Sequence, residues 1–258
     1  MARIGVIGGT GLVSLTLDGP VLGNIDRDDA LSVATPYGEV PLRLVSIDEG
    51  EHTLVFLQRH HGGGDAGCPP HAINHRANIR AMADANLDVM MAVCSVGTLH
   101  PSFPPGTVGL AEQYIDFTGR ATTFHDASSV FTSATTPFSA DHNGLLEKVL
   151  RQEQGIPDDA PLRFTYWLTE GPQFETPREV DAIQRLGGDM VGMTMPREAK
   201  LAMELNVPYV AVCIASNWAA GREPGDAERA LDHHAVSAQA NERLGPVMAC
   251  IKALLKKR

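Results

Sequence analysis

Phe174 and Glu175 stand between two stops in the chain, Gly171-Pro172 before them and Thr176-Pro177 after. The strand-like run Phe164 to Leu168 cannot pass through Gly171-Pro172 as a central strand. Thr176 with Pro177 reads as the N-cap and first position of a helix. An aromatic ring and an acid are thus left on a short loop at the carboxyl end of a strand, where open α/β sheets place ligands. Such a ring stacks on a planar heterocycle, and such a carboxylate accepts N–H bonds from the heterocycle's edge. The competing reading is an ordinary strand–helix connection with a buried Phe. One helix later the chain carries Val191-Gly192-Met193-Thr194.

Other strand ends carry small polar or cationic groups. Arg3 to Ile7 is a short buried strand, and Gly8-Gly9-Thr10-Gly11 after it offers backbone N–H groups and a hydroxyl to an anion. A dinucleotide fingerprint fails there: Ser14 holds the place of the third glycine, and no helix follows. Arg59 ends a second strand and is suited to bidentate anion binding. His60 and His61 come next, then a flexible Gly62-Gly63-Gly64-Asp65. A metal site from these histidines with Cys68, His71 and His75 is disfavoured, because no acid lies between His71 and His75 and Cys68 precedes two prolines. Cys94-Ser95-Val96-Gly97-Thr98 and Ser216-Asn217 follow two further apolar runs.

The elements that must hold these groups follow from periodicity. Residues 40–48 and 52–60 alternate as paired strands. Leu87 to Cys94 is a nearly continuous apolar run, as in a central parallel strand. Further strands are expected at 108–116, 189–193 and 209–215, and helices at 71–86, 141–154, 177–187 and 196–205. A last helix runs from about 226 to the terminus, with Leu244, Val247, Met248, Ile251, Leu254 and Leu255 at helical spacing. Residues 118–138 have no clear period and form a long excursion, of the kind that is functional or reaches a neighbour. With no repeat or linker, residues 1–258 read as one α/β domain able to bury a sizeable core.

Composition excludes several classes. The 258 residues carry a net charge of −10, and the only basic cluster is Lys256-Lys257-Arg258. That argues against a partner with a nucleic-acid backbone. No apolar run has the length of a membrane span, and the first residues lack a secretory h-region. The four cysteines are scattered, so reduced thiols and a cytoplasmic location are expected.

In order along the chain stand Gly5-Val6-Ile7-Gly8-Gly9-Thr10-Gly11, Arg59-His60, Asn74-His75-Arg76-Ala77-Asn78, Val96-Gly97, Glu170-Gly171-Pro172-Gln173-Phe174-Glu175-Thr176 and Val191-Gly192-Met193-Thr194-Met195-Pro196-Arg197-Glu198. This set resembles the purine nucleoside phosphorylase and methylthioadenosine/methylthioinosine phosphorylase family. The resemblance implies a single-domain α/β nucleoside phosphorylase fold, a twisted mixed central sheet flanked by helices. It also implies a homotrimer or dimer of trimers. Inorganic phosphate would be co-substrate, with neither metal nor organic cofactor. Carried across residue by residue, Thr10, Arg59, His60, Cys94, Ser95 and Thr194 would surround phosphate. Met193 would lie against the ribose, and Phe174, Glu175 and Asn217 would hold the base. Asn217, Glu175 and His60 would be the catalytic residues. Phe131 matches the place from which a neighbouring subunit closes the sugar pocket. His61 is the alternative to His60, since relatives differ on which histidine serves.

Departures from the family pattern carry information. Cys94-Ser95 stands where relatives have Thr or Asn followed by Ala, and a thiol is a weaker donor than a hydroxyl. Relatives that use 6-aminopurines have an acid at the position of Asn217 and another two residues on, where this chain has Ala219. An amide donates to O6 and engages N7, and Glu175 accepts from the N1–H of hypoxanthine or guanine. A 6-oxopurine (inosine/guanosine) phosphorylase is therefore expected, giving free base and ribose 1-phosphate. His233 matches the place that holds a 5′-hydroxyl; the rival is a solvated histidine at a helix start. A methylthioinosine or methylthioadenosine phosphorylase is the near alternative. A nucleosidase would not need Arg59, Thr10 and Thr194 around an anion, and a non-catalytic nucleoside binder would release no base. Arg59→Ala is expected to raise the phosphate requirement steeply and leave folding intact.

Overall fold

The computed structural model describes residues 2–9, 12, 22–64, 67–232 and 244–257. Among these residues nine strands form one mixed sheet in the order β2-β3-β4-β1-β5-β8-β7-β6-β9. They are β1 (Ala2–Gly8), β2 (Ile25–Thr35), β3 (Gly38–Ile47), β4 (His52–Gln58), β5 (Val89–Thr98), β6 (Val108–Asp116), β7 (Arg163–Leu168), β8 (Met190–Gly192) and β9 (Tyr209–Trp218). Because β5 pairs with β9 as well as with β1 and β8, the second half of the sheet closes into a ring of five strands. The sheet expected from the sequence is thus partly rolled up. β1, β4, β5 and β9 run parallel, so their carboxyl ends share one rim.

Among the described residues five helices cover the sheet: α1 (His75–Asp84), α2 (Ala140–Gln154), α3 (Pro177–Arg185), α4 (Met195–Glu204) and α5 (Leu244–Lys256). β5 explains the layering. Its even residues, Met90, Ala92, Cys94 and Val96, join a core cluster with Ile79 and Met82 of α1 and Ala199 and Leu201 of α4. Its odd residues, Val89, Met91 and Val93, join a second cluster with Leu146 and Leu150 of α2 and Val247 and Ile251 of α5. A strand covered on both faces needs an unbroken apolar run, and the period of two sends alternate side chains to opposite layers. The Thr176 side chain accepts from the Glu179 backbone, and Glu179 reaches back to the Thr176 N–H at 2.7 Å. This capping box starts α3 one residue after the loop that carries Phe174 and Glu175.

Four expectations need correction. The helix expected at 71–86 begins at His75, after a single 3₁₀ turn over Pro70–Ala72, because Asn74 caps it by accepting from the Ala77 N–H. β5 and β9 run on to Thr98 and Trp218. Cys94, Ser95, Ser216 and Asn217 are therefore strand residues and not loop residues. Residues 226–232 are irregular, with one turn at 227–228, and are not the first part of the last helix, whose described portion starts at Leu244. The edge strand β2 was not expected at all. Among the described residues no helix is long and apolar enough to cross a membrane.

Candidate active site

Arg59 follows β4 directly, and its backbone N–H donates to Gly8 O at 2.8 Å. That bond fixes it against the end of β1. The residue is 2 % exposed, and its side chain is directed at β5 and α4. Nε donates to Glu198 Oε1 at 2.5 Å and Nη2 to Oε2 at 3.0 Å, while Nη1 donates to Val93 O at 3.0 Å. A weaker bond runs from Nη2 to Cys94 Sγ at 3.7 Å. The expected bidentate grip on an anion is therefore altered. The Nε/Nη2 edge of the fork already holds a carboxylate, and what is left for a ligand is the Nη1/Nη2 end.

Gly9 borders that end. A Cβ at Gly9 would run into Arg59 Nη1 and stand 3.0 Å from Val93 O. Since Glu198 locks the guanidinium, neither neighbour gives way easily. Gly9→Ala should keep the fold and raise the KM for an anionic co-substrate about tenfold or more by displacing Arg59. Steady-state kinetics with the anion varied checks this, and an unchanged KM would show that Gly9 does not border the anion.

Cys94 and Cys213 are in register on β5 and β9, both buried and free. The Cys213 thiol pulls Cys94 below the ordinary cysteine range; burial opposes this and the Arg59 guanidinium assists it. Ser95 Oγ donates to Ser216 Oγ at 2.8 Å, and Ser216 Oγ reaches Asn217 Oδ1 at 3.0 Å. Asn217 Nδ2 donates to Trp218 O at 2.7 Å. The amide is thus held with its oxygen toward Ser216, leaving one N–H of Nδ2 for a ligand. Gly97, paired with Asn217 and Val191, keeps the surface beside that amide flat.

The other wall is the loop after β7, hung from β8 by the Thr169 N–H to Gly192 O bond of 2.9 Å. Gly171, at φ 68°, lets it fold tightly over Met193, whose Sδ would lie 2.5 Å from any Cβ there. The half-buried Glu175 accepts from Thr169 Oγ1 at 2.7 Å. Burial raises its carboxyl above the ordinary glutamate range, and the Thr169 bond holds it back. As an acceptor it must be ionised, so kcat/KM should fall with decreasing pH at a value above that of a solvent-exposed glutamate. Thr169→Val removes the compensating donor and should move that acid limb to still higher pH. A pH profile indifferent to this change would detach Glu175 from the chemistry. Phe174 is half-buried beside it, and Thr194, 7 % exposed, is the N-cap of α4. The positive end of that helix lies at Thr194.

The histidines divide. His60 Nδ1 lies 2.7 Å from Cys68 O, and His61 Nε2 lies 2.7 Å from Asn78 Oδ1 on α1. Among the described residues no group of three or more His, Cys, Asp or Glu side chains is placed to hold a metal. Thr10 and His233 lie outside the described residues.

The excursion after β6 was expected to cross to a neighbour with Phe124 and Phe131 unplaced. Its first part belongs to its own chain. Thr123 Oγ1 and the Phe124 N–H donate to Glu204 of α4, at 2.6 and 2.7 Å, and the Phe124 ring sits 5.4 Å from Tyr37. Asp126 pairs with Arg76. Residues 127–136 are exposed throughout, and Phe131, at 93 % exposure, lies on the surface and not over its own site. Glu170, Glu198 and Ser216 stand within the segments that the sequence singles out, but nothing there gives them, Thr169 or Tyr209 a role of their own. Arg197, 1 % exposed, pairs with Glu170, which Arg120 of the excursion also holds at 3.2 Å.

Comparison with known proteins bears on this arrangement. Over 234 residues the chain is 38 % identical to a probable S-methyl-5′-thioinosine phosphorylase of Methanopyrus kandleri, covering 90 % of this chain and 84 % of that one. Over 230 residues it is 36 % identical to a 6-oxopurine nucleoside phosphorylase of Pyrococcus furiosus, covering 86 % and 81 %. The fold matches the methylthioadenosine phosphorylase of Schistosoma mansoni solved with adenine, with a TM-score of 0.81 at 24 % identity, over 99 % of this chain and 91 % of the other. A family model matches from residue 3 to residue 255, nearly end to end, and with it the chain belongs to the phosphorylase superfamily.

Proposed function

We propose that the protein is a purine nucleoside phosphorylase acting on 6-oxopurine nucleosides, one catalytic domain over residues 1–258. The observation that carries this reading is the pairing of an acceptor with a donor across the base side. Glu175 offers a carboxylate to N1–H, and Asn217 offers an amide N–H whose orientation is fixed by Ser216 and Trp218 O. Hypoxanthine and guanine present that combination along one edge, and adenine does not. The name of the Pyrococcus furiosus relative agrees with it.

Phosphate is the co-substrate in this reading, and no metal or organic cofactor takes part. Thr10, the free end of Arg59, His60, Cys94, Ser95 and Thr194 at the α4 N-terminus surround the anion. Phe174 stacks on the base and Met193 packs against the ribose. A phosphate oxygen attacks C1′ of the ribose as the C1′–N9 bond breaks, and the bonding pair leaves with the purine. Asn217 stabilises the charge that gathers at N7 and O6, and Glu175 keeps N1–H in place. The products are free base and ribose 1-phosphate.

A second reading has support in the name of the Methanopyrus kandleri relative: the nucleoside is S-methyl-5′-thioinosine. The two share base and mechanism and differ at the 5′ end, where His233 would hold a hydroxyl. His233→Val tests that role by shifting preference toward the methylthio substrate. The deciding assay measures base release from inosine, methylthioinosine and adenosine, each with and without phosphate. Release without phosphate would make the protein a nucleosidase, and binding without release a non-catalytic nucleoside binder.

The reading includes a homotrimer, or a dimer of trimers, in which the exposed 127–136 segment closes a neighbour's sugar pocket with Phe131. Its support is a bare run holding Val130 and Phe131 at 53 % and 93 % exposure. Sedimentation of the active protein as a monomer would refute this.

A further inference from the structure

Glu198 has no place among the ligand-contacting residues above, yet it is fully buried, at 0 % exposure, one turn into α4. Two of its bonds come from Arg59, and a third comes from Tyr209 Oη, which donates to Oε2 at 2.9 Å. His75 Nδ1 of α1 lies 3.9 Å from Oε1. A guanidinium carries five N–H groups. In Arg59 two are held by Glu198, one by Val93 O, and one rests weakly on Cys94 Sγ. Only the last N–H of Nη1 and the soft bond to sulfur are open to a ligand. An arginine free to turn would present its Nε/Nη2 edge to a tetrahedral anion, the geometry that suits it best. Here a carboxylate occupies that edge.

We infer that Glu198 is the positioning residue of the phosphate site: it clamps Arg59 so that only the Nη1/Nη2 end meets the anion, and Tyr209 holds the carboxylate in that pose. The inference rests on the phosphate site proposed above. It follows that the anion is gripped by directed N–H groups and not by an uncancelled charge, because the Arg59–Glu198 pair is neutral as a unit. It follows too that phosphate is aimed at C1′ by α4, since the helix that supplies Thr194 also supplies the clamp.

The test is steady-state kinetics of the full chain with phosphate and inosine varied separately. Glu198→Gln keeps the shape, loses the charge and sets an amide N–H₂ against the arginine fork. It should raise the phosphate KM by about 10- to 100-fold, as a misaimed group does, and leave the inosine KM within about twofold. Tyr209→Phe removes one bond to the clamp and should move the phosphate KM the same way by about threefold to tenfold. If Glu198→Gln does not fold, Tyr209→Phe decides. An unchanged phosphate KM in a folded variant of a phosphate-dependent wild type overturns the inference alone. A wild type that releases base without phosphate overturns the phosphate site and the inference together.

Discussion

Asn217→Asp should lower kcat/KM for inosine by about 10²- to 10³-fold, the loss found when one transition-state donor is removed. The substituted carboxylate cannot donate to O6 and would face it with like charge. It would also face Ser216 Oγ and Trp218 O, and the second of these, an acceptor now 2.7 Å from Nδ2, would repel it. The local cost falls on the strand end and not on the core, since Asn217 is half-buried. Adenosine presents an amine to that edge and should lose less, or gain. Glu175 still finds no N1–H on adenine, which limits the switch. The measurement is kcat/KM for both nucleosides at saturating phosphate. Equal losses on both would mean that Asn217 is structural and that base selection lies elsewhere.

Local chemistry made much of the fold legible. The Thr176–Glu179 box and Pro177 announce the start of α3 within four residues, and the unbroken apolar run of β5 announces a strand covered on both faces. β2 escaped because its sequence, Ile25-Asp26-Arg27-Asp28-Asp29, has almost no apolar period. It is an edge strand exposed along most of its length, held by its pairing with β3 and by the Arg43–Asp28 fork. Of the candidate site, the groups flanked by glycine, proline or a cap were readable from the chain alone. Those that act by holding another side chain were not. Glu198 lies 139 residues from the arginine it holds, and in sequence it is one more acid on an amphipathic helix. Ser216 reads as a small strand residue until β5 and β9 are brought together and its hydroxyl meets those of Ser95 and Asn217's amide.

Arg59→Ala should unfold the protein more readily, contrary to what a phosphate-binding arginine on a strand end would suggest. The side chains of Arg59 and Glu198 are each 1 % exposed. Removing one partner of such a pair strands the other charge in the core, a cost of about 3–5 kcal/mol. For a chain of this size that lowers Tm by on the order of 10 °C. Burial alone would raise the Glu198 carboxyl, but Arg59 brings it below the ordinary glutamate range. A depressed folded pKa contributes stability that is fully present above the unfolded value, about 4.3. That stability is lost as pH falls through the folded value. Without Arg59 the sign reverses: burial dominates, the carboxyl is raised, and acidification relieves the variant by neutralising it. The gap in stability between wild type and Arg59→Ala should therefore narrow as pH falls toward 4, in denaturant melts run at each pH. Arg59→Met combined with Glu198→Leu replaces the pair by apolar groups of similar length and should recover most of the lost stability, since buried pairs contribute little net. Phosphate-dependent base release should not return in that double variant, which lacks the guanidinium. A double variant no more stable than Arg59→Ala would mean that the pair itself, and not the stranded charge, holds β4 to α4.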